Sequence, residues 1–166
     1  MSESRTAVIS LLVSNHFGVL TRVTNLFSQR GYNIDTLAVG ATENQKFSRI
    51  TITTKGDANI INQIKLQLAK LEDVKVVEEI QDEKLFIREV ILIKVAPAEK
   101  QMSEFRKFIE DFNGRTQIIE DKCYIVEFTD TPSTIDYVLE EIREYHIQEV
   151  SRTGGAALQL ANDSIY

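Results

Sequence analysis

The spacing of apolar and polar positions divides the first 80 residues into six predicted elements. The run TAVISLLV (residues 6–13) is typical of a strand buried on both faces. Residues 19–30 predict an amphipathic helix, ended by Gly31, with one apolar stripe formed by Leu20, Val23, Leu26 and Phe27. YNIDTLAVGAT (32–42) and FSRITITT (47–54) predict two strands of a hairpin. A helix capped by Asp57 and the short strand VKVVEEI (74–80) follow. The apolar side of that helix is formed by Ile60, Ile61, Ile64, Leu68 and Leu71.

The second half of the chain repeats this order. LFIREVILIKVA (85–96) predicts a strand, residues 99–112 a helix, and TQIIE (116–120) and CYIVEFTD (123–130) two strands around the turn Asp121-Lys122. A helix begins at Thr131-Pro132, IQEVSRTG (147–154) predicts a last strand, and GAALQLANDSIY (155–166) is left as a tail. The order β-α-β-β-α-β is that of a ferredoxin-like unit. We therefore expect an α+β fold of two ferredoxin-like βαββαβ domains, residues 1–80 and 81–166, joined near residues 81–84.

Charge and composition exclude several classes of function. Residues 1–80 carry a net charge of +1 and residues 81–166 a net charge of −7, so the second half is unsuited to nucleic acid, whose binding depends on neutralising phosphates. FSRITITT also lacks the aromatic and basic motif by which RNA-binding sheets of this topology stack bases. No apolar run approaches the roughly 20 residues that span a bilayer, and the N-terminus lacks the pattern of a signal peptide. Together with the single cysteine, Cys123, this favours a cytoplasmic protein.

Motifs of catalysis and of metal binding are absent from the sequence. There is no phosphate-binding glycine loop, no C-x-x-C, no H-E-x-x-H and no G-x-S-x-G. The two histidines, His16 and His146, lie far apart in the sequence. We therefore predict neither catalytic residues nor metal ligands. Three classes of function stay open at this point: a small-molecule binding module, an interaction subunit, and an enzyme without a familiar motif.

The stretch SNHFGVL (14–20) joins the first strand to the first helix and is a candidate binding loop. Free amides of Gly18, Val19 and Leu20 at the helix start favour an anion such as a carboxylate. Asn15 can hold an ammonium group, and Phe17, Val19 and Leu20 suit a small apolar side chain. These features together indicate an amino acid as the ligand, and the apolar lining suits a branched one. An ordinary helix start, capped by Asn15 and with Phe17 packed inward, explains the same residues equally well.

Longer motifs carry a resemblance to a known family. The pattern N-x-x-G-x-L-x-R-V is followed by L-F-x-x-R-G-Y-N-I and then by S-R-x-T, and REVILIKV (88–95) comes later in the chain. The matching positions are Asn15, Gly18, Leu20, Arg22, Val23, Leu26, Phe27, Arg30, Gly31, Tyr32, Asn33, Ile34, Ser48, Arg49 and Thr51. Over nearly its whole length the chain resembles the small, regulatory subunits of acetohydroxyacid synthase (acetolactate synthase), which begin with an ACT domain.

The resemblance implies a regulatory subunit and not an enzyme. Such subunits bind the catalytic large subunit, raise its activity, and make it sensitive to feedback by valine or a related branched-chain amino acid. Thiamine diphosphate, magnesium and FAD belong to the catalytic subunit, so no cofactor is expected in this chain. A stand-alone amino-acid sensor without a catalytic partner is the rival interpretation.

The resemblance also implies where the effector binds. ACT domains of this family pair side by side into a homodimer, with the effector between the strand–helix loop of one chain and the second strand of the other. The residues expected at the site are Asn15, His16, Phe17, Gly18, Val19 and Leu20 from one chain and Asn33 and Ile34 from its partner.

Overall fold

The structure of the protein is a computed structural model that describes residues 4–119 and 122–160. Three sequence-based expectations fall on the remaining positions and lie outside the described residues: the strand end at Glu120, the first residue of the turn, Asp121, and the last six residues of the tail.

The first half forms an antiparallel sheet of four strands, in the spatial order β2-β3-β1-β4. The strands are β1 (Arg5–Ser14), β2 (Thr36–Ala41), β3 (Phe47–Gly56) and β4 (Val74–Ile80), and the helices are α1 (Val19–Gln29) and α2 (Ala58–Leu68). Strand β1 pairs with β3 on one side and with β4 on the other. The predicted ferredoxin-like order of elements is confirmed for this half.

Both faces of β1 are buried, as the apolar run predicts. Because side chains alternate along a strand, Ala7, Ile9, Leu11 and Val13 face the two helices. They share one core with Val19, Val23, Leu26, Phe27, Ile61, Ile64 and Leu68. The intervening Val8, Ser10 and Leu12 are buried as well. This buried central strand therefore ends at Ser14, the first residue of the candidate loop.

The helix ends agree with the sequence, whereas one predicted core position in each of the two helices is exposed. Asp57 accepts a hydrogen bond from the amide of Ile60 at 2.9 Å, which confirms the predicted cap. Gly31 has a φ of +69° just beyond α1, a conformation that glycine adopts without strain. The expected buried positions Leu20 and Ile60 are instead 41% and 38% exposed. In α1 the core position is taken by Val19, about 100° around the helix axis from Leu20. In α2 the predicted position Ile61 is buried as expected.

The second half forms another antiparallel sheet, in the order β6-β7-β5-β8. Its elements are β5 (Leu85–Val95), α3 (Met102–Asp111), β6 (Arg115–Ile118), β7 (Tyr124–Asp130), α4 (Pro132–Glu141) and β8 (Ile147–Arg152). Helices α3 and α4 contribute Phe105, Ile109, Ile135 and Val138 to a core with Ile91, Ile93, Val126 and Phe128. The α+β class with two ferredoxin-like sheets is confirmed.

The segment left as a tail contains a strand, β9 (Ala156–Gln159), which pairs with β5. Ala157 is buried, and the amide of Leu160 donates to the carbonyl of Lys84 at 2.6 Å. Packing divides the chain into one compact unit that ends at Phe86 and resumes at Gly154, and a second unit, Ile87–Thr153. The sequence-based division between residues 80 and 81 follows the order of the elements. By packing, the first unit instead extends to Phe86 and also includes the segment that begins at Gly154.

A buried carboxylate ties β5 to β8 within the second unit. The side chain of Glu89 is 1% exposed and accepts a hydrogen bond from Nε of Arg152 at 2.7 Å. The same guanidinium contacts Asp136 at 2.5 Å. Partial burial of Arg152 disfavours its charged form, but the contacts with Asp136 and Glu89 outweigh that effect and raise the pKa of Arg152. The charge of Glu89 is thus matched inside the protein, as burial requires.

Gly114, which follows α3, offers a direct test of how tightly the second core is packed. A Cβ atom at Gly114 would lie 2.6 Å from the Phe128 ring and 3.0 Å from Ile109. We expect Gly114→Ala to lower the free energy of unfolding by about 1–3 kcal/mol, because the core would be overpacked. Urea denaturation measures this change. In a Phe128→Leu background the same substitution should lower the free energy of unfolding by less. An equal decrease in both backgrounds would contradict the packing described here.

Candidate functional site

The loop between β1 and α1 is tied to two neighbouring loops. The amide of Asn15 donates to the carbonyl of Lys46 at 2.8 Å, and its side-chain Nδ2 donates to the carbonyl of Gln45 at 2.9 Å. The amide of Ser14 donates to the carbonyl of Asp73 at 2.8 Å. Asn15 is therefore bonded to the hairpin loop between β2 and β3. Capping of α1 by Asn15, which was the ordinary explanation for this residue, is wrong.

Helix α1 begins at Gly18 without a side-chain cap. Gly18 has a φ of +87°, in the left-handed region that favours glycine. Among the residues that the structure describes, the amides of Gly18, Leu20 and Thr21 donate to no protein acceptor, and that of Val19 makes only a long contact of 3.5 Å to the carbonyl of His16. Free amides at a helix start attract anions. The free amides that the sequence predicts at this helix start are therefore available to a ligand.

The side chains of the loop have different environments. Phe17 is fully exposed, at 100%, and Leu20 is 41% exposed. Val19 is only 4% exposed, because it belongs to the core of the first unit. The apolar surfaces of Phe17 and Leu20 are therefore accessible to a ligand at this loop, whereas Val19 can offer only its backbone.

Asn33 and Ile34 lie at the other end of the sheet. They precede β2, and the carbonyl of Asn33 accepts a hydrogen bond from the hydroxyl of Thr54 at 2.6 Å. Thr54 pairs with Ala7 of β1, seven residues before the strand ends at Ser14. This corresponds to about 23 Å along the strand. One chain therefore does not bring Asn33 and Ile34 together with its own loop.

Asp73 contacts the candidate loop and is not among the residues expected there from the sequence. It lies between α2 and β4. Its Oδ1 is 2.8 Å from Nε2 of His16, and its Oδ2 accepts a hydrogen bond of 2.7 Å from Nε of Arg22. Nη2 of Arg22 contacts the same carboxylate. Asp73 therefore connects the middle of the loop to the first turns of α1.

The electrostatics of this cluster favour an ionised carboxylate. Partial burial of Asp73 favours its neutral form, but the hydrogen bonds and positive charges of Arg22 and His16 outweigh burial and lower the pKa of Asp73. The other ring nitrogen of His16, Nδ1, is 3.1 Å from the carbonyl oxygen of Phe17. The two ring nitrogens of His16 thus face two oxygen atoms, one from the Asp73 carboxylate and one from the backbone of Phe17.

The topology of the sheet could have indicated Asp73. Strand β4 lies beside β1 and is antiparallel to it, and Val74, the first residue of β4, pairs with Val13. A residue just before β4 must therefore lie near the end of β1, where the candidate loop begins. An acidic residue at that position, with His16 and Arg22 nearby in the sequence, was the available signal.

Outside this cluster, metal sites, reactive thiols and membrane-spanning helices are the other features of the described ranges that would bear on function. Residues 4–119 and 122–160 contain no cluster of three or more His, Cys, Asp or Glu side chains that could hold a metal ion. The thiol of Cys123 contacts the side-chain oxygen of Gln148 at 3.4 Å. No helix in the described part of the chain is both long and apolar enough to span a membrane.

Comparison with known families matches both halves of the chain. Residues 9–76 match the model of the AHAS small subunit-like ACT domain. Residues 88–161 match the model described as the small subunit of acetolactate synthase. The two models together cover most of the chain, including the loop and the Asp73 cluster.

Individual relatives cover almost the full length. The probable acetolactate synthase small subunit of Methanothermobacter thermautotrophicus is 38% identical over 94% of both chains. The acetolactate synthase isozyme 3 small subunit of Escherichia coli is 38% identical over 91% of this chain and 93% of its own. The crystal structure of the acetolactate synthase small subunit from Thermotoga maritima superimposes with a TM-score of 0.88 and 34% identity, covering 96% of this chain and 99% of that one.

These matches agree with the motifs and with the fold of both halves. The chain belongs to the acetolactate synthase small subunit family, and it is a non-catalytic subunit that begins with an ACT domain.

Proposed function

We propose that this protein is the regulatory subunit of an acetolactate synthase. It binds the catalytic large subunit, raises its activity, and makes it sensitive to feedback by a branched-chain amino acid, with valine as the effector. The observation that carries the proposal is the uncapped start of α1 at Gly18, with free amides, in a chain of this family. The chemistry depends on thiamine diphosphate, magnesium and FAD held by the catalytic subunit, and we place the complex in the cytoplasm.

The loop has the groups that recognise an amino acid. The amides of Gly18 and Leu20 suit the α-carboxylate, since a helix start favours negative charge. The side-chain oxygen of Asn15 suits the ammonium group, because its Nδ2 is already bonded to Gln45. The exposed surfaces of Phe17 and Leu20 suit a small branched side chain. His16 acts on the loop through Asp73.

Strand β2 has the features of a pairing edge. Within the described residues it pairs only with β3, and its sequence, TLAVGA, carries no charge. Val39 is 48% exposed. The opposite edge, β4, carries Lys75, Glu78 and Glu79, and such charges protect an edge from pairing. We therefore assign the homodimer interface to β2, which would extend the sheet side by side into a second chain.

Antiparallel pairing of two β2 strands would complete the effector site. The loop of one chain lies near the end of its β2, because Ala41 pairs with Ser48 and Ser14 pairs with Phe47. Asn33 and Ile34 precede the beginning of β2. Antiparallel pairing brings the beginning of one strand next to the end of the other. Asn33 and Ile34 of the partner would thus approach the loop that their own chain does not reach.

A site shared by two chains supports a simple mechanism of regulation. The effector-free dimer holds the catalytic subunit in an active arrangement, and the effector favours a second arrangement of the dimer. The effector shifts this equilibrium only by its difference in affinity for the two states. Binding across the interface gives such a difference, since it depends on the relative position of the two ACT domains.

Reconstitution distinguishes this function from that of a stand-alone sensor. We expect the tagged chain to co-purify with the catalytic subunit encoded in the same organism and to raise its rate of acetolactate formation. Valine should then lower that rate in the complex but not in the catalytic subunit alone. A chain that binds valine yet neither co-purifies with the catalytic subunit nor changes its rate would be the stand-alone sensor instead.

Substitution at Gly18 tests the loop itself. In Gly18→Asp a carboxylate would lie where the effector carboxylate should bind, so we expect the apparent affinity for valine to fall about tenfold or more. Inhibition of the reconstituted complex by valine measures this change. Gly18→Asn is the matched control, because asparagine has a similar size, tolerates a positive φ, and carries no charge. If valine inhibits the Gly18→Asp complex at the same concentrations as the wild-type complex, the effector does not bind at this loop.

A further inference from the structure

We propose that Asp73 is a positioning residue for effector recognition: its carboxylate holds the guanidinium of Arg22 beside the start of α1, where Arg22 binds the effector carboxylate. The inference rests on the proposed function and deepens it. Neither residue is among the positions that the family motifs assign to the effector.

Asp73 binds one side of the Arg22 guanidinium and leaves the other free. Nε donates to Oδ2 of Asp73 at 2.7 Å, and Nη2 contacts the same carboxylate. Nη1 donates to no acceptor in the described part of the chain. Arginine can bind two carboxylates at once because its five N–H donors point along two edges of a planar fork. Arg22 therefore keeps a free donor for a second carboxylate.

The free donor lies next to the uncapped helix start. A Cβ atom on Gly18 would be 3.1 Å from Nη1 of Arg22. The amides of Gly18, Leu20 and Thr21 are free at the same turn. A carboxylate at this position would meet both the amides and the guanidinium. The first turn of α1 contains no acidic residue that would compete for Arg22.

Glycine at position 18 has a second role in this arrangement. Gly18 and Arg22 are four residues apart, so their side-chain positions lie on the same face of the helix. The absence of a side chain at Gly18 leaves room for Nη1. The same proximity explains why aspartate at position 18 would be disruptive. Its carboxylate could bind Arg22 directly and thereby occupy the place of the effector.

Asp73 is itself held firmly, which a positioning residue requires. Its side chain is only 16% exposed, whereas that of Arg22 is 47% exposed. The backbone carbonyl of Asp73 accepts a hydrogen bond from the amide of Ser14. Its carboxylate oxygen Oδ1 contacts His16. An exposed arginine loses side-chain entropy when it binds a ligand. Because Asp73 fixes the guanidinium beforehand, most of that loss is avoided when the effector arrives.

The test compares valine binding by four forms of the full chain, each in complex with its catalytic subunit: wild type, Asp73→Asn, Arg22→Gln and the double variant. Isothermal titration calorimetry gives the dissociation constants. We expect each single substitution to weaken valine binding about tenfold or more. The double variant should bind no more weakly than Arg22→Gln alone, because Asp73 acts through Arg22.

A second ligand separates positioning from general support of the loop. Valinamide keeps the ammonium group and the side chain of valine but lacks the carboxylate. We expect Asp73→Asn to reduce the preference for valine over valinamide, since only valine uses Arg22. Equal weakening of both ligands would show that Asp73 merely supports the loop, and would overturn the inference.

The neighbouring residue supplies the matched control. Glu72 is exposed, and its carboxylate makes no hydrogen bond or ion pair to the described part of the chain. Glu72→Gln removes the same charge one residue away and should bind valine as the wild type does. Wild-type affinity in Asp73→Asn would overturn the role of Asp73 but leave the proposed function intact. Failure of the wild-type complex to bind valine would overturn both.

Discussion

The first helix of the protein begins at a glycine in the left-handed conformation, and no side chain bonds to its free amides. Most helices satisfy these amides with a capping residue. Here Asn15, the capping residue considered from the sequence, is bonded to the hairpin loop instead. The helix start is therefore open, and the lack of a side chain at Gly18 lets Arg22 lie beside it. Effector binding in our account depends on this one feature.

The topology of the sheet explains why the surrounding residues meet there. Strand β1 is central, so its end is flanked by the β2–β3 loop on one side and by the α2–β4 loop on the other. The backbone carbonyl of Lys46 accepts a hydrogen bond from the amide of Asn15, and that of Asp73 accepts one from the amide of Ser14. The loop is thus held on both sides by its backbone, while its side chains and the helix amides stay accessible. A rigid sheet with an accessible loop is a common basis for specific binding.

Sequence patterns predicted the elements well, because strands and amphipathic helices have clear periodicities. The order of both halves and the capping by Asp57 are confirmed. Strand β9 was missed because GAALQLANDSIY combines glycine with small residues, and its pairing with β5 depends on tertiary contact. Val19 instead of Leu20 lies in the core, a difference of one residue or about 100° around the helix axis, which spacing alone does not fix.

The site was only partly predictable for a similar reason. Motifs indicated the candidate loop, since its residues are contiguous, and Gly18 and Arg22 fall within one pattern. Asp73 is 51 residues from Arg22 in the sequence, and only the pairing of β4 with β1 brings the two together. The exposure of Phe17 was likewise not encoded in a local pattern, because an apolar residue in a loop can pack inward or face solvent.

In our account each effector site is formed by two chains, the loop of one and the Asn33 region of the other. Complementation between two defective variants tests it most directly. Gly18→Asp and Asn33→Ala are co-expressed with different tags, and the heterodimer is isolated and titrated with valine. Our account predicts weak binding by either homodimer but one tight site per heterodimer, because one of its two sites combines an intact loop with an intact Asn33. A heterodimer without a tight site would contradict the account and would indicate that each site lies within a single chain.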